Sequence, residues 1–201
     1  EYILLLNNDI ELDQNILLEL IKRADEHTIT VPKIYYYEPN DMLWFAGGEM
    51  YWNKGESGHI GNFEIDMGQY DKERIIGYAP TCCMLIHRNV FEKIGFEDEI
   101  VFMYFDDTDL CVRMNDAGFK IKYVPSAKMW HKVSSSGGGM DSKIYVYYNF
   151  RNKFYFMNKY KNRLVFPARL FTYTKLIAKF VLSPVYKKND KYILRAWKDY
   201  K

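Results

Sequence analysis

Apolar positions fall in short runs separated by polar, Gly- or Pro-marked breaks, and their period changes along the chain. Tyr2–Leu6 is continuously apolar, the pattern of a strand buried on both faces. Asp13 is placed to cap a helix over Gln14–Ala24, in which Ile16, Leu17, Leu20 and Ile21 recur at helical spacing. Thr28–Tyr37 alternates as a strand, and Pro32 marks a local irregularity in it. Met42–Trp52 reads as strand, Gly47-Gly48 turn, strand. Lys54–Gly68, rich in Gly and polar residues, reads as a loop or flap. Ile75–Arg88 holds a strand at Cys83–Ile86, and Asn89–Ile94 is a short helix ended by Gly95. Asp107 or Thr108 starts a helix that runs through Ala117 and closes at Gly118. Phe119–Val124 is a strand ended by Pro125, and Ala127–Trp130 is a further short strand leading into His131. Ser134–Gly139 reads as a flexible connector, and the rest, from Lys143, as mostly helical. There is no internal repeat, and strands alternating with helices predict an α/β sheet.

Composition narrows the class. The 201 residues suffice for one domain with a sizeable core, or a domain plus an appendage. A hydrophobic content of 48% with 27% charged residues is that of a globular protein. Lys and Arg number 28 against 26 acids, a net charge of +2 that gives no overall case for nucleic acid binding. From Lys143 onward basic residues dominate, interleaved with Tyr and Phe, a mixture suited to an anionic membrane surface or a diphosphate. Phe166–Val181 has the amphipathic pattern of an interfacial membrane helix, and equally of a core or oligomer helix. Cys82, Cys83 and Cys111 form neither a zinc spacing nor an even disulfide set, and read as reduced, partly buried thiols of a cytoplasmic protein. No signal-peptide pattern is visible, and no apolar run reaches the ~20 residues of a spanning helix. Glu1 leads straight into an apolar strand, which reads as a piece of a longer domain.

Candidate chemistry centres on Met103–Arg113, where Asp106, Asp107 and Asp109 crowd the start of a helix. Asp109 and Arg113 stand at i, i+4, the spacing of a local ion pair. That leaves Asp106 and Asp107 at the helix mouth, as caps or as a general base. Asp9 ends the first apolar run in the setting Asn7-Asn8-Asp9, and the carboxyl end of a buried strand is where open α/β sheets bind ligands. A carboxylate there suits Mg²⁺ or Mn²⁺, although the triplet is also good turn chemistry. His131, at a strand end, reads as a structural histidine or a ligand. Tyr148, Arg151 and Asn152 share one helix face; the Arg151 fork suits a diphosphate, or its stem covers the core edge.

Seven segments then follow in order: Tyr2–Asp9, Phe45–Gly48, Cys83–Ile86, Phe102–Arg113, Ala117–Pro125, Trp130–Lys132 and Tyr147–Asn152. Their order and spacing, from Glu1 to about Tyr160, resemble the inverting family-2 glycosyltransferases. The resemblance is strongest to the rhamnosyltransferase-like branch that builds bacterial and archaeal surface polysaccharides. It implies a GT-A fold, a Rossmann-like mixed sheet flanked by helices that binds a nucleotide-sugar and a divalent metal, Mg²⁺ or Mn²⁺. By the resemblance, Asn7-Asn8-Asp9 stands at the DxD motif, with Asp9 a metal ligand and all three residues, together with Arg151, facing the donor. His131 completes the metal site and Asp107 is the catalytic base, with Asp106 where many relatives carry Glu. Trp44, Gly47, Gly48, Thr81, Cys82 and Asp106 are the acceptor-side candidates.

The mechanism implied is a single displacement that inverts the anomeric carbon, from a UDP- or dTDP-linked donor to a glycan or lipid-linked acceptor. Residues 1–140 are expected to be the C-terminal part of a GT-A catalytic domain without its N-terminal β/α units, and 141–201 a helical, basic and aromatic segment. Tyr2–Leu6 is then a central strand with one neighbour missing and an apolar edge open. The expected setting is cytoplasmic, peripheral on the inner face of the cell membrane, with no nucleic acid partner. Two other classes remain compatible with the residues: an inactive glycan- or partner-binding module, and a metal-dependent nucleotide-sugar hydrolase.

Overall fold

The computed structural model describes residues 1–133, 142–164, 174 and 184–200. The expected connector at Ser134–Gly139 and nearly all of the expected helix at Phe166–Val181 lie outside the described residues. The chain forms two compact units that interleave in sequence. The first comprises Glu1–Glu49, Ser57–Glu97 and Asp107–Val133; the second comprises Met50–Glu56, Asp98–Asp106 and the described part of Ser134–Lys201.

The first unit is built on a mixed seven-stranded sheet. Its strands are β1 (Tyr2–Leu6), β2 (Ile10–Leu12), β3 (Thr28–Tyr36), β4 (Leu43–Phe45), β7 (Arg74–Ile76), β8 (Cys83–His87) and β9 (Lys120–His131). The order is β1-β8-β3-β9-β2, with β4 added on β3 and β7 on β9. Among the described pairings of this sheet, β3 and β9 run parallel and the others antiparallel. β3 is central and buried from Thr28 through Tyr35, which its run of β-branched and aromatic residues favours. Helices α1 (Ile16–Ile21), α2 (Arg88–Ile94) and α3 (Asp106–Asp116) accompany the sheet. Leu20, Val90, Leu110 and Met114 from these helices join Ile29, Ile34, Met84 and Ile121 from the strands in one core.

Local signals place the short helices well. His87 caps α2 by accepting from the Asn89 amide, and Gly95 ends it at φ 75°. Gly118, at φ 88°, follows α3; few residues other than glycine hold that conformation at no cost.

Four expectations change. Among the described residues Tyr2–Leu6 pairs only with β8, which leaves the open apolar edge expected of it, but Tyr2, Ile3, Leu4 and Leu6 keep 36–46% of their exposure and are not buried on both faces. A continuous apolar run reports composition; which neighbours cover it is set elsewhere in the chain. Pro125 does not end its strand: β9 runs on to His131, and the break is absorbed as a register shift against Pro32 and Lys33 of β3. A bulge is where a residue without an N–H is tolerated. Gly47-Gly48 does not join a hairpin, because β4 pairs with β3 while β5 (Gly48–Tyr51) pairs with β6 (Glu56–His59). α1 is shorter than the sequence predicts, and Asp13 accepts from the Asn15 amide at 2.8 Å ahead of it.

Between β6 and β7 the chain returns over β3, fastened by the wholly buried Lys33. Its ammonium lies 2.8 Å from Asp66 and 2.5 Å from Asp71, and Tyr35 donates to Asp66 at 2.6 Å. A buried charge is tolerated when it is paired and hydrogen-bonded in this way.

The second unit packs α4 (Lys143–Lys159) on α5 (Pro184–Asp199) through Val146, Phe150, Phe154, Ile193 and Ala196. Trp52 stacks on Phe156, Lys153 pairs with Glu56 at 2.8 Å, and Lys159 pairs with Asp98 at 2.8 Å.

Candidate active site

The candidate residues of the first unit are placed by strand register. After β1 the Asn7 amide donates to the Cys82 carbonyl at 3.1 Å, and the chain then turns into β2. β2 pairs with the end of β9 so that Ile10 faces His131, and the Lys132 amide donates to the Asp9 carbonyl at 2.9 Å. Asp9 Oδ1 therefore comes within 3.2 Å of His131 Nε2. His131 is 8% exposed, and its buried Nδ1 has no hydrogen-bond partner among the described residues. Burial pushes the imidazole below its ordinary pKa and Asp9 offsets this in part, so the ring is held neutral.

An aromatic layer adjoins the pair. The Trp44 ring meets His131 edge-on at 4.7 Å and His59 edge-on at 4.5 Å. The His59 Nδ1 lies 2.9 Å from the Trp44 carbonyl oxygen, and burial drives His59 down to about 4. His59 stacks on Tyr78 with ring centroids 5.8 Å apart. Tyr78 is buried and donates its hydroxyl to Asp107 Oδ2 at 2.5 Å.

Asp107 sits in the first turn of α3. Its Oδ1 accepts from the Thr108 amide at 2.6 Å and from the Thr108 hydroxyl at 3.2 Å. Burial raises its pKa, the bonds from Tyr78 and Thr108 oppose that rise, and the nearby Glu97 charge adds to it. A carboxyl with a raised pKa is a stronger base once ionised. The Cys82 thiol is pushed well up, first by burial and then by Cys83, Asp107 and Asp9, so it stays protonated beside both acids.

The first unit thus holds Asn7, Asn8, Asp9, Trp44, Gly47, Gly48, Thr81, Cys82, Asp107 and His131. Asn7 and Asn8 are exposed, Thr81 is half-buried and Cys82 is buried. The two glycines make room for neighbours. A Cβ on Gly47 would stand 2.7 Å from the Arg74 guanidinium, and one on Gly48 would stand 2.7 Å from Tyr78 Cδ1. Asp109 pairs with Arg113 at 2.8 Å, as its spacing predicts.

Asp106 and Arg151 belong to the second unit. Arg151 donates to the Ile100 carbonyl at 2.7 Å, with its guanidinium 6.0 Å from the Tyr148 ring. Asn152, fully buried, donates to the carbonyls of Met103 at 2.6 Å and Tyr104 at 3.0 Å. Tyr104 and Phe105 hold φ of 65° and 67°, a conformation that costs aromatic residues and clusters at functional sites.

His59, Tyr78 and the strained Tyr104-Phe105 pair escape the sequence reading. His59 lies in a stretch read as loop, and Tyr78 carries no motif. The only sequence signal near the strain is the position of these aromatics directly before the acids.

Among the described residues no group of three or more His, Cys, Asp or Glu side chains gathers as a metal cluster. Asp9 and His131 do offer one carboxylate and one neutral imidazole at close range, with a buried ring nitrogen left over. That mixed oxygen and nitrogen set fits Mn²⁺ well and Mg²⁺ less well.

Comparison with known proteins supplies the family. The low-salt glycan biosynthesis hexosyltransferase of Haloferax volcanii is 25% identical over 201 residues, which cover 98% of this chain and 64% of that protein. The N-acetylglucosaminyl-diphospho-decaprenol L-rhamnosyltransferase of Mycobacterium tuberculosis is 41% identical over 66 residues, 33% of this chain and 22% of the relative. The chain thus spans less than two thirds of the length of either relative. The crystal structure of GalNAc-T7 with UDP, GalNAc and Mn²⁺ superposes with a TM-score of 0.61 at 14% identity, over 99% of this chain and 38% of that one. That likeness is one of fold, and it makes the mixed sheet with its helices GT-A-like. The family described as "Glycosyltransferase like family 2" matches residues 52–154, half of the chain, and the chain belongs to it.

Proposed function

We propose that the protein transfers a sugar from a UDP- or dTDP-linked donor to a hydroxyl of a glycan or lipid-linked acceptor, with inversion, in cell-surface polysaccharide synthesis. The family membership and the hexosyl- and rhamnosyltransferase names of the relatives support the reaction class. The observation that carries the mechanism is Asp107: a carboxyl with raised pKa, held by three hydrogen bonds from Tyr78 and Thr108, in the same unit as the Asp9–His131 pair.

In this reading the Asp107 carboxylate takes the proton of the acceptor hydroxyl as that oxygen attacks the anomeric carbon. The new carbon–oxygen bond forms on the face opposite the departing diphosphate. The old bond breaks with its electron pair on the diphosphate oxygen, so configuration inverts. Asp9 and His131 would hold a divalent metal, and such an ion, when bound, neutralises charge on the leaving diphosphate. Asn7 and Asn8, exposed beside Asp9, offer amides to the donor. On the acceptor side we place the half-buried Trp44 indole and Thr81 hydroxyl, and the buried Cys82 thiol, with Gly47 and Gly48 keeping the backbone close.

No helix of the described residues is long and apolar enough to cross a membrane. We place the protein at the cytoplasmic membrane face, where α5 exposes Leu194 and Trp197 beside Lys191 and Lys198.

The test is transfer of labelled sugar with product stereochemistry read by NMR. The wild type should give the anomer opposite to the donor's, and Asp107→Asn should lose roughly 10²–10⁴ of the rate. A retained configuration, or an active Asp107→Asn variant, would overturn the mechanism.

A further inference from the structure

We infer that Tyr78 is the positioning residue of the proposed base, its buried hydroxyl fixing the Asp107 carboxylate in the orientation that receives the acceptor proton. The inference rests on Asp107 being the base and adds how that carboxylate is aimed.

The geometry is asymmetric in a useful way. Asp107 Oδ1 is taken by its own helix, through the Thr108 amide and hydroxyl. That cap engages one oxygen of the carboxylate. Tyr78 takes one lone pair of Oδ2 at 2.5 Å, so both oxygens are held and the orientation of the group is fixed from two sides. Each carboxylate oxygen offers two acceptor positions, so Oδ2 retains one for a proton.

The phenol is itself overdetermined. Its ring stacks on His59, and His59 is tied to the Trp44 carbonyl. Gly48 leaves the space that the ring edge occupies, since a Cβ there would stand 2.7 Å from Tyr78 Cδ1. Ser57 lies 2.9 Å from the Thr108 hydroxyl, which in turn donates to Asp107 Oδ1. Burial raises the phenol well above its ordinary pKa, so it acts as a donor and does not compete as a base. A buried tyrosine needs some partner for its hydroxyl, but a backbone carbonyl would serve. Spending a desolvated carboxyl on it is costly unless the carboxyl has other work.

The other titratable groups facing Asp107 are Cys82, ahead of β8, and Glu97, after α2. His59 and Cys111 stand behind Tyr78, and Asp109 on the same helix is paired with Arg113. Outside its own Thr108 cap, the carboxylate accepts from Tyr78, so Tyr78 is the group whose removal should move it.

The test follows the Asp107 carboxyl by carbon-13 NMR in aspartate-labelled protein, its signal assigned through Asp107→Asn. kcat and donor KM are measured in parallel across pH. Tyr78→Phe should move the Asp107 titration to higher pH and carry the acid limb of kcat with it. It should lower kcat roughly tenfold or more, as loss of a charge-assisted bond implies, and leave donor KM alone. Fluorinated tyrosine at position 78 keeps the shape and strengthens the donor, so it should move the titration the other way even if the Phe variant folds poorly. An Asp107 titration and acid limb unmoved in either variant would overturn the inference. Transfer retained by Asp107→Asn would instead sink the assignment of the base, and the carbon-13 shift would still decide whether Tyr78 holds the carboxyl.

Discussion

Asp9 Oδ1 stands 3.2 Å from His131 Nε2 because β2 pairs Ile10 with His131 across the sheet. Two residues far apart in sequence are thus placed by a three-residue strand. If they hold the metal, His131→Ala should weaken Mn²⁺ binding by at least the 10–100-fold typical of lost supporting groups, roughly. Titration of Mn²⁺ followed by electron paramagnetic resonance reads this directly. Equal affinity in the variant would remove His131 from the site.

Asp107 should trade stability for function. Its folded-state pKa is raised, chiefly by burial, so the folded protein holds this proton more tightly than the unfolded chain does. As pH rises from the unfolded value toward the folded one, the wild type loses stability through this group, and above the folded value the loss is complete. Asp107→Asn carries no such penalty. Its melting temperature should match or exceed the wild type's at neutral pH, with a gap that narrows on acidification while activity stays lost. A variant melting well below the wild type at pH 7 would contradict this.

His59 gives the opposite dependence. Burial lowers it to about 4 from an unfolded value near 6.5. Its contribution is fully present above pH 6.5 and is lost as pH falls toward 4, because the unfolded chain takes up the proton first. The sum is on the order of 3–4 kcal/mol. Urea unfolding of wild type and His59→Gln between pH 7 and 4.5 should show a shallower acid slope in the variant. Parallel slopes would place the acid sensitivity elsewhere.

Asn152 holds the strained approach to the acidic pair through the carbonyls of Met103 and Tyr104. Asn152→Ala strands two carbonyls and should cost about 1–3 kcal/mol. The backbone at Tyr104 and Phe105 is then free to leave its left-handed conformation. Chymotrypsin should cut there faster in the variant than in the wild type, and unchanged cleavage would argue that the loop is held by other contacts.

What the sequence reveals follows the range of each interaction. The Asp109–Arg113 pair and the glycines that close α2 and α3 are legible because one or two turns of helix decide them. The GT-A-like fold and the family are legible because seven short segments keep their order. The passage of β9 through Pro125 and the separate partners of β4 and β5 are not, since each depends on which distant strand arrives alongside. In the candidate site, Asp9, His131 and Asp107 can be named as candidates from local setting and resemblance. The supports beneath them cannot: His59 and Tyr78 gain meaning only from stacking on each other and from the bond to Asp107.

The most direct test of the central claim is calorimetric binding of UDP and dTDP, with and without Mn²⁺, to wild type, Asp9→Ala and Asp107→Asn. The account predicts that one nucleotide binds the wild type only with the metal, that Asp9→Ala abolishes this, and that Asp107→Asn leaves it intact. Metal-independent binding, or undiminished binding by Asp9→Ala, would contradict it.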